Sequence, residues 1–195
     1  MDYYTADLHI GHYKVAHHRG FATVEEHDAA VLKGIREVAK PGVNIWVLGD
    51  ISSGRDTGTD TALTLLNDIR LDTWCTFHLI AGNHDKVHPM HRGYQKHRPF
   101  WDAFQTIDSM GTFRHRKERV LLSHFPYEGD RGITRYPEYR LKDSGLPIIH
   151  GHTHSTEKAS RSEAGTLQVC VGLDAWGMKP ASKEELTKII DKELI

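Results

Sequence analysis

Val43-Asn44-Ile45-Trp46-Val47-Leu48-Gly49-Asp50 is a nearly continuous apolar run of strand length that stops abruptly in glycine and aspartate. A run without polar alternation is the signature of a strand buried on both faces, as in a parallel sheet covered by helices. Its flanks agree. Upstream, Thr23 followed three residues later by Glu26 makes a capping box. Residues 24–39 then carry Ala30, Val31, Ile35 and Val38 on one helical face, and Pro41-Gly42 stops the helix. Downstream, a polar loop over 52–59 leads to a second helix over 60–70, with Leu63, Leu66 and Ile69 at helical spacing. Residues 74–81 are the next apolar strand, ending in Gly82-Asn83-His84-Asp85. At the start, a short tyrosine-rich strand over 2–6 runs into Asp7-Leu8-His9-Ile10-Gly11-His12. Strands alternating with helices predict an α/β fold.

The texture changes after residue 104. Residues 104–107, 112–115 and 119–122 read as short strands, with a hairpin turn at Arg116-Lys117-Glu118, and the last of them ends in Ser123-His124. A long loop over 125–145 leads to Pro147-Ile148-Ile149-His150-Gly151-His152-Thr153-His154. A Ser/Glu/Arg loop over 155–165, a strand over 166–173, Asp174-Ala175-Trp176-Gly177 and a closing helix to about Lys192 complete the chain; Ser182 and Glu185 form that helix's capping box.

Bulk properties exclude several classes. The chain has 195 residues, 38% hydrophobic and 26% charged, which suits one domain with a full core. A net charge of -1 leaves no global electrostatic footprint for nucleic acid. The N-terminus lacks the pattern of a signal peptide, and no run reaches the ~20 apolar residues of a membrane span, so a cytoplasmic location is expected. Fifteen histidines against two cysteines, Cys75 and Cys170, point to imidazole and carboxylate ligation rather than thiolate chemistry.

Each apolar strand delivers only Asp, Asn or His at its end: Asp7 and His9, then Asp50, then Asn83, His84 and Asp85, then His124, then His152 and His154. In layered α/β proteins ligands bind outside the carboxyl ends of strands, so these groups are expected on one edge. Asp7, His9, Asp50, Asn83, His124, His152 and His154 offer seven ligands, more than the roughly four to six that one ion takes. Two ions sharing a carboxylate fit better, and a pair about 3.5–4 Å apart suits phosphoryl displacement. The donor mixture suits Mn, Fe, Zn or Ni rather than Cu(I) and does not choose among them; Mn is the expectation adopted.

Asp7-X-His9, Gly49-Asp50, Gly82-Asn83-His84-Asp85, His124 and Gly151-His152-X-His154, in that order, resemble the calcineurin-like metallophosphoesterase superfamily. The opening Asp7-to-His12 and the tail Val171-to-Pro180 are similar to its small bacterial and phage members. The resemblance implies a four-layer αββα sandwich of two mixed sheets flanked by helices. It implies one divalent ion on Asp7, His9, Asp50 and His154, and a second on Asp50, Asn83, His124 and His152, with Asp50 bridging. It also implies His84 beside the leaving oxygen, Asp85 orienting that ring, and in-line attack by a metal-bridging hydroxide. Two departures, Gly49-Asp50-Ile51-Ser52-Ser53-Gly54-Arg55 and a motif ending in Asp85 rather than glutamate, argue against phosphoprotein phosphatase specificity.

The expected activity is a phosphodiesterase on small or cyclic nucleotide-type diesters; a phosphomonoesterase is the rival, followed by a nuclease. A non-catalytic scaffold disagrees with the retention of every ligand. The expected partner is a small phosphate ester, nucleotides included, with no membrane and no obligate protein partner. His12, Arg19, Tyr127 and Arg135 are expected substrate contacts, and the basic stretch Lys86, Arg92, Lys96 and Arg98 reads mainly as a solvated loop. His150 is expected to point away from the ligands, and Trp176 to anchor core.

Overall fold

The structure, a computed structural model, describes residues 1–130 and 132–193, the side chain of Lys96 excepted. The apolar run at 43–48 forms β2 (Asn44–Val47), inside a five-stranded sheet with β1 (Asp2–Thr5), β3 (Thr76–Ile80), β4 (Thr106–Asp108) and β10 (Ala181–Ser182). The order is β10-β1-β2-β3-β4; only β10 is antiparallel to its neighbour. Parallel neighbours need crossovers. Helix α2 (Val24–Val38) supplies the one between β1 and β2, and α3 (Asp56–Thr73) the one between β2 and β3.

The two faces of β2 explain its unbroken hydrophobicity. Ile45, Val47, Phe77 and Leu79 pack with Val31, Ile35, Leu66 and Ile69 of the helices. Tyr4, Leu48 and Ile80 face a second sheet, meeting its Val120, Leu122, Ile149 and Val169. Each such side chain, withdrawn fully from water, contributes about 1.5–3 kcal/mol. That second sheet runs β5 (Gly111–His115), β6 (Glu118–Leu122), β7 (Ile148–His150), β9 (Leu167–Cys170), β8 (Ala159–Arg161). It is mixed: β6, β7 and β9 are parallel, while β5 and β8 pair antiparallel at the edges. Helix α5 (Lys183–Glu193) inserts Leu186 and Ile190 into the layer between the sheets. The outer face of the second sheet is covered differently: Leu121 and Ile148 lie under Tyr127, Leu141 and Leu146 of the segment 125–147. Two mixed sheets with flanking helices match the expected α/β class.

Several boundaries differ from the sequence reading. The second helix starts at Asp56, not 60, because Thr59 is buried with its hydroxyl 3.0 Å from that of Ser52. Trp74 is not in the strand. It caps α3 in a left-handed conformation (φ 57°), donates its N–H to the Arg70 carbonyl and is 78% exposed. Strand β4 joins β3 in the first sheet rather than the hairpin, which is β5 and β6 alone. Strands β8 and β10 fall in stretches read as loop or helix start; with three and two residues they carry too little pattern to show. The caps hold as read: the Thr23 hydroxyl accepts from Glu26 N–H, and Ser182 and Glu185 bond reciprocally. Among the described residues no helix is long and apolar enough to cross a membrane.

Candidate metal centre

The ends of β1, β2, β3, β6 and β7 meet at one edge of the sandwich. All seven candidate ligands converge there, six of them buried. Six of them form two clusters, Asp7/His9/His154 and Asp50/His124/His152, each with donor atoms within 4.8 Å of one another. Tight convergence needs abrupt turns. Asp7, His9, Asp50, His152 and His154 all have φ between 49° and 70°, the left-handed region. Non-glycine residues sit there at a cost and cluster at functional sites. Close approach also dictates glycine. A Cβ on Gly82 would press on the Asp50 carboxylate and stand 2.8 Å from His124 Nδ1.

The donor geometry fits cations. Around an ion with ligands at about 2.1 Å, neighbouring donors are about 3.0–3.4 Å apart. His9 Nε2 and His154 Nε2 are 3.2 Å apart; His124 Nε2 lies 3.2 Å from Asn83 Oδ1 and 3.3 Å from His152 Nδ1. Asp50 Oδ2 reaches both clusters, at 3.7 Å from His9 Nε2 and 3.4 Å from His124 Nε2. Two rings also present a free nitrogen inward because the other is hydrogen-bonded. His124 Nδ1 donates to the Leu48 carbonyl at 2.7 Å, and His154 Nδ1 to Asp174 at 3.2 Å. His152 Nε2 lies 3.1 Å from Asp130. His9 Nδ1 and His152 Nε2 are both buried without a hydrogen-bond partner.

Burial dominates the titration of these groups. It drives His9 well below the usual imidazole range and His152 down to about 2, the neighbouring His124 adding to the second. Burial raises Asp7. Against burial, His124, His9 and His84 hold Asp50 well below the carboxylate range, and Asp50 in turn pushes His124 up to about 9.

His84 lies just outside both clusters. Its amide donates to Asp50 Oδ1 at 2.8 Å, its Nδ1 donates to the Ser53 carbonyl at 3.1 Å, and its Nε2 is 4.0 Å from Asp50 Oδ2. At 37% side-chain exposure it is the most open of these rings. His12 caps the short helix α1 (Tyr13–His18), its ring edge-on to His9 and His84 at 5.2 and 6.1 Å.

Three expectations are corrected. Asp85 does not touch the His84 ring; its carboxylate accepts the amides of Asp50, Ile51 and Gly82 and so binds two ligand loops together. Arg19 is no substrate contact: it is buried and bonded to Asp174, His27 and the Asp7 carbonyl. Tyr127 is buried on the far side of the second sheet, donating to the Leu146 carbonyl. Arg135 remains exposed, its amide donating to Asp130 and one guanidinium nitrogen 3.4 Å from the same carboxylate. His150 points away from the clusters as expected, its Nδ1 on the Gly151 carbonyl. Lys86 pairs with Asp56 beside α3, while the side chain of Lys96 lies outside the described residues.

Asp130 and Asp174, which orient His152 and His154, escaped the sequence reading. Asp174 follows β9 and so obeys the strand-end rule that found the others. Asp130 lies inside a long loop and gives no such signal.

No family model matches the chain. It is 38% identical over 199 residues to the Gene 66 protein of Mycobacterium phage L5, covering 97% of this chain and 93% of that protein. The Gene 66 protein of Mycobacterium phage D29 is 40% identical over 182 residues, covering 89% and 88%. Among solved structures, a protein of unknown function from Aquifex aeolicus, AQ665, superposes with a TM-score of 0.71 at 21% identity, over 97% of this chain and 98% of that one, which establishes likeness of fold. With two relatives at 38% and 40% identity matched over most of their length, the chain belongs to the family of the mycobacteriophage Gene 66 proteins.

Proposed function

We propose that this protein is a binuclear metal-dependent phosphodiesterase acting on small or cyclic nucleotide-type diesters. The observation that carries the reading is Asp50: one carboxylate within 3.4–3.7 Å of histidine nitrogens in both clusters, as a bridging ligand requires. Asp7, His9 and His154 would hold one ion and Asn83, His124 and His152 the other, with Asp50 shared. Two such ions, when bound, neutralise the phosphoryl oxygens and lower the pKa of a water.

The chain's own groups supply the rest. The Ser53 carbonyl fixes the His84 ring with Nε2 facing the centre. In protonated form that nitrogen donates to the leaving oxygen. Two buried arginines beside the clusters, Arg19 and Arg140, are committed to Asp174 and Asp130. Neither is free to clamp a phosphoryl group. A cavity of about 390 Å³ beside His12 and Ser53, lined also by Tyr13, Lys14 and Arg55, offers an aromatic and two cations to the remainder of the substrate. Its size is in the range of small-ligand sites.

The test compares bis(p-nitrophenyl) phosphate with p-nitrophenyl phosphate in the presence of Mn²⁺. Faster diester turnover is expected, and the absence of turnover on either with metal bound overturns the reading. His84→Ala is expected to cut kcat by about 10²–10⁴-fold at unchanged metal content.

A further inference from the structure

One buried network lies behind the centre and takes no part in the chemistry above. Arg19 gives Nε and Nη2 to Asp174, at 3.1 and 2.7 Å. Its Nη2 also donates to the Asp7 carbonyl at 2.8 Å, and its Nη1 to His27 Nε2 at 2.9 Å. His27 Nδ1 donates to Asp28 Oδ1 at 2.8 Å, and Asp28 Oδ2 accepts the Gly11 amide at 2.9 Å. At the other end, Asp174 Oδ2 accepts from His154 Nδ1 at 3.2 Å. The Arg19 and Asp174 side chains are 3% and 8% exposed, and His27 is fully buried.

A buried ion pair is weak evidence for stability, since desolvation cancels most of its attraction. What this network touches is more informative. It fixes the His154 tautomer with Nε2 free. It pins the carbonyl of Asp7, whose φ of 58° has to be held from outside. Through Asp28 it holds the Gly11 turn that follows His9. All three contacts fall on segments bearing Asp7, His9 and His154. None falls on Asp50, Asn83, His124 or His152, whose supports come from Asp85, His91, Leu48 and Asp130.

We infer that Arg19 and Asp174, extended by His27 and Asp28, form a positioning relay that pre-organises the Asp7/His9/His154 cluster and not the other. The inference rests on the metal-binding reading above. It makes the two ion positions separable: damage to the relay weakens one and spares its neighbour. Partners behind metal-ligating histidines are worth about 10–100-fold in affinity.

The test is Mn²⁺ binding to the full chain by calorimetric titration, with activity left aside. The unsubstituted protein is expected to take two equivalents. Asp174→Ala is expected to weaken one of them about 10–100-fold and leave the other unchanged. His154→Ala should weaken the same equivalent, and adding Asp174→Ala to it should cost less than Asp174→Ala does alone, because both act on one position. Should Asp174→Ala fail to fold, Asp174→Asn, of equal volume, carries the same readout. Two equivalents bound by the variant as by the parent overturn the relay, and so does equal weakening of both, which marks a general structural role. If the parent itself takes fewer than two equivalents, the binuclear reading falls, and the relay with it.

Discussion

Asp7, His9, Asp50, His152 and His154 all place a candidate ligand side chain on left-handed backbone, at a cost of about 1–2 kcal/mol each. Such residues persist only where their surroundings over-determine them. For Asp50 the determinant is Asp85, whose two oxygens take the amides of Asp50 and Ile51 at 2.8 and 3.0 Å while also holding Gly82 at 2.8 Å. Asp85→Asn tests this. Asparagine has one acceptor oxygen, and its amide would face a backbone N–H. Losing charge-assisted bonds to buried donors costs about 2–4 kcal/mol. A lower melting temperature in EDTA is therefore expected, together with weaker metal binding. A carboxylate that merely oriented the His84 ring would instead lower kcat and leave the metal-free melting temperature unchanged.

At the scale of elements, the described residues of the segment 125–147 cover the second sheet with no α-helix, only a single 3-10 turn at Pro137–Tyr139. Tyr127, Leu141 and Leu146 shield Leu121 and Ile148 on one side, while Asp130 of the same segment reaches His152. Tyr127→Phe removes the hydrogen bond to the Leu146 carbonyl and is expected to cost about 1 kcal/mol of stability, read by chemical denaturation, at unchanged KM. A substrate contact would raise KM. Tyr127 also shows what the sequence withholds. Strand ends were legible because long apolar runs stop abruptly in Asp, Asn and His, and the same runs required two-sided burial. Direction within a loop was not: aromatic and arginine residues after His124 suit a substrate wall, yet Tyr127 turns to the sheet and Arg140 to Asp130. Arg19 misleads likewise, since closeness to the first motif in sequence says nothing of which way a guanidinium folds. Asp130 and Asp174 acquire their roles only when the fold brings them to His152 and His154. The extra turn of α3 depends on Thr59 meeting Ser52, a contact invisible to helical periodicity.

For the molecule as a whole, metal binding, protonation and stability form one linked equilibrium centred on His124. Burial alone would lower this imidazole, but Asp50 pushes it up to about 9, against an ordinary value of 6.5. Between those limits the metal-free folded protein holds a proton on His124 that the unfolded chain has released. Its contribution to stability is therefore complete below about pH 6.5 and disappears as pH rises through about 9. An ion needs the same nitrogen deprotonated, so binding must expel that proton. Below pH 9, metal affinity is accordingly expected to rise with pH, about tenfold per unit for each proton displaced, and to level off above it. The two trends reinforce one another. As pH increases from 6.5 to 9, the metal-free protein loses stability while the metal-bound protein gains affinity. The melting-temperature difference between Mn²⁺-loaded and EDTA-treated protein should widen steadily over that interval. Titration calorimetry at pH 7.5 in buffers of different ionisation enthalpy should register at least one proton released as the centre fills. No proton release, together with a melting-temperature difference that is flat in pH, would show that His124 is already neutral, and that Asp50 does not govern its charge.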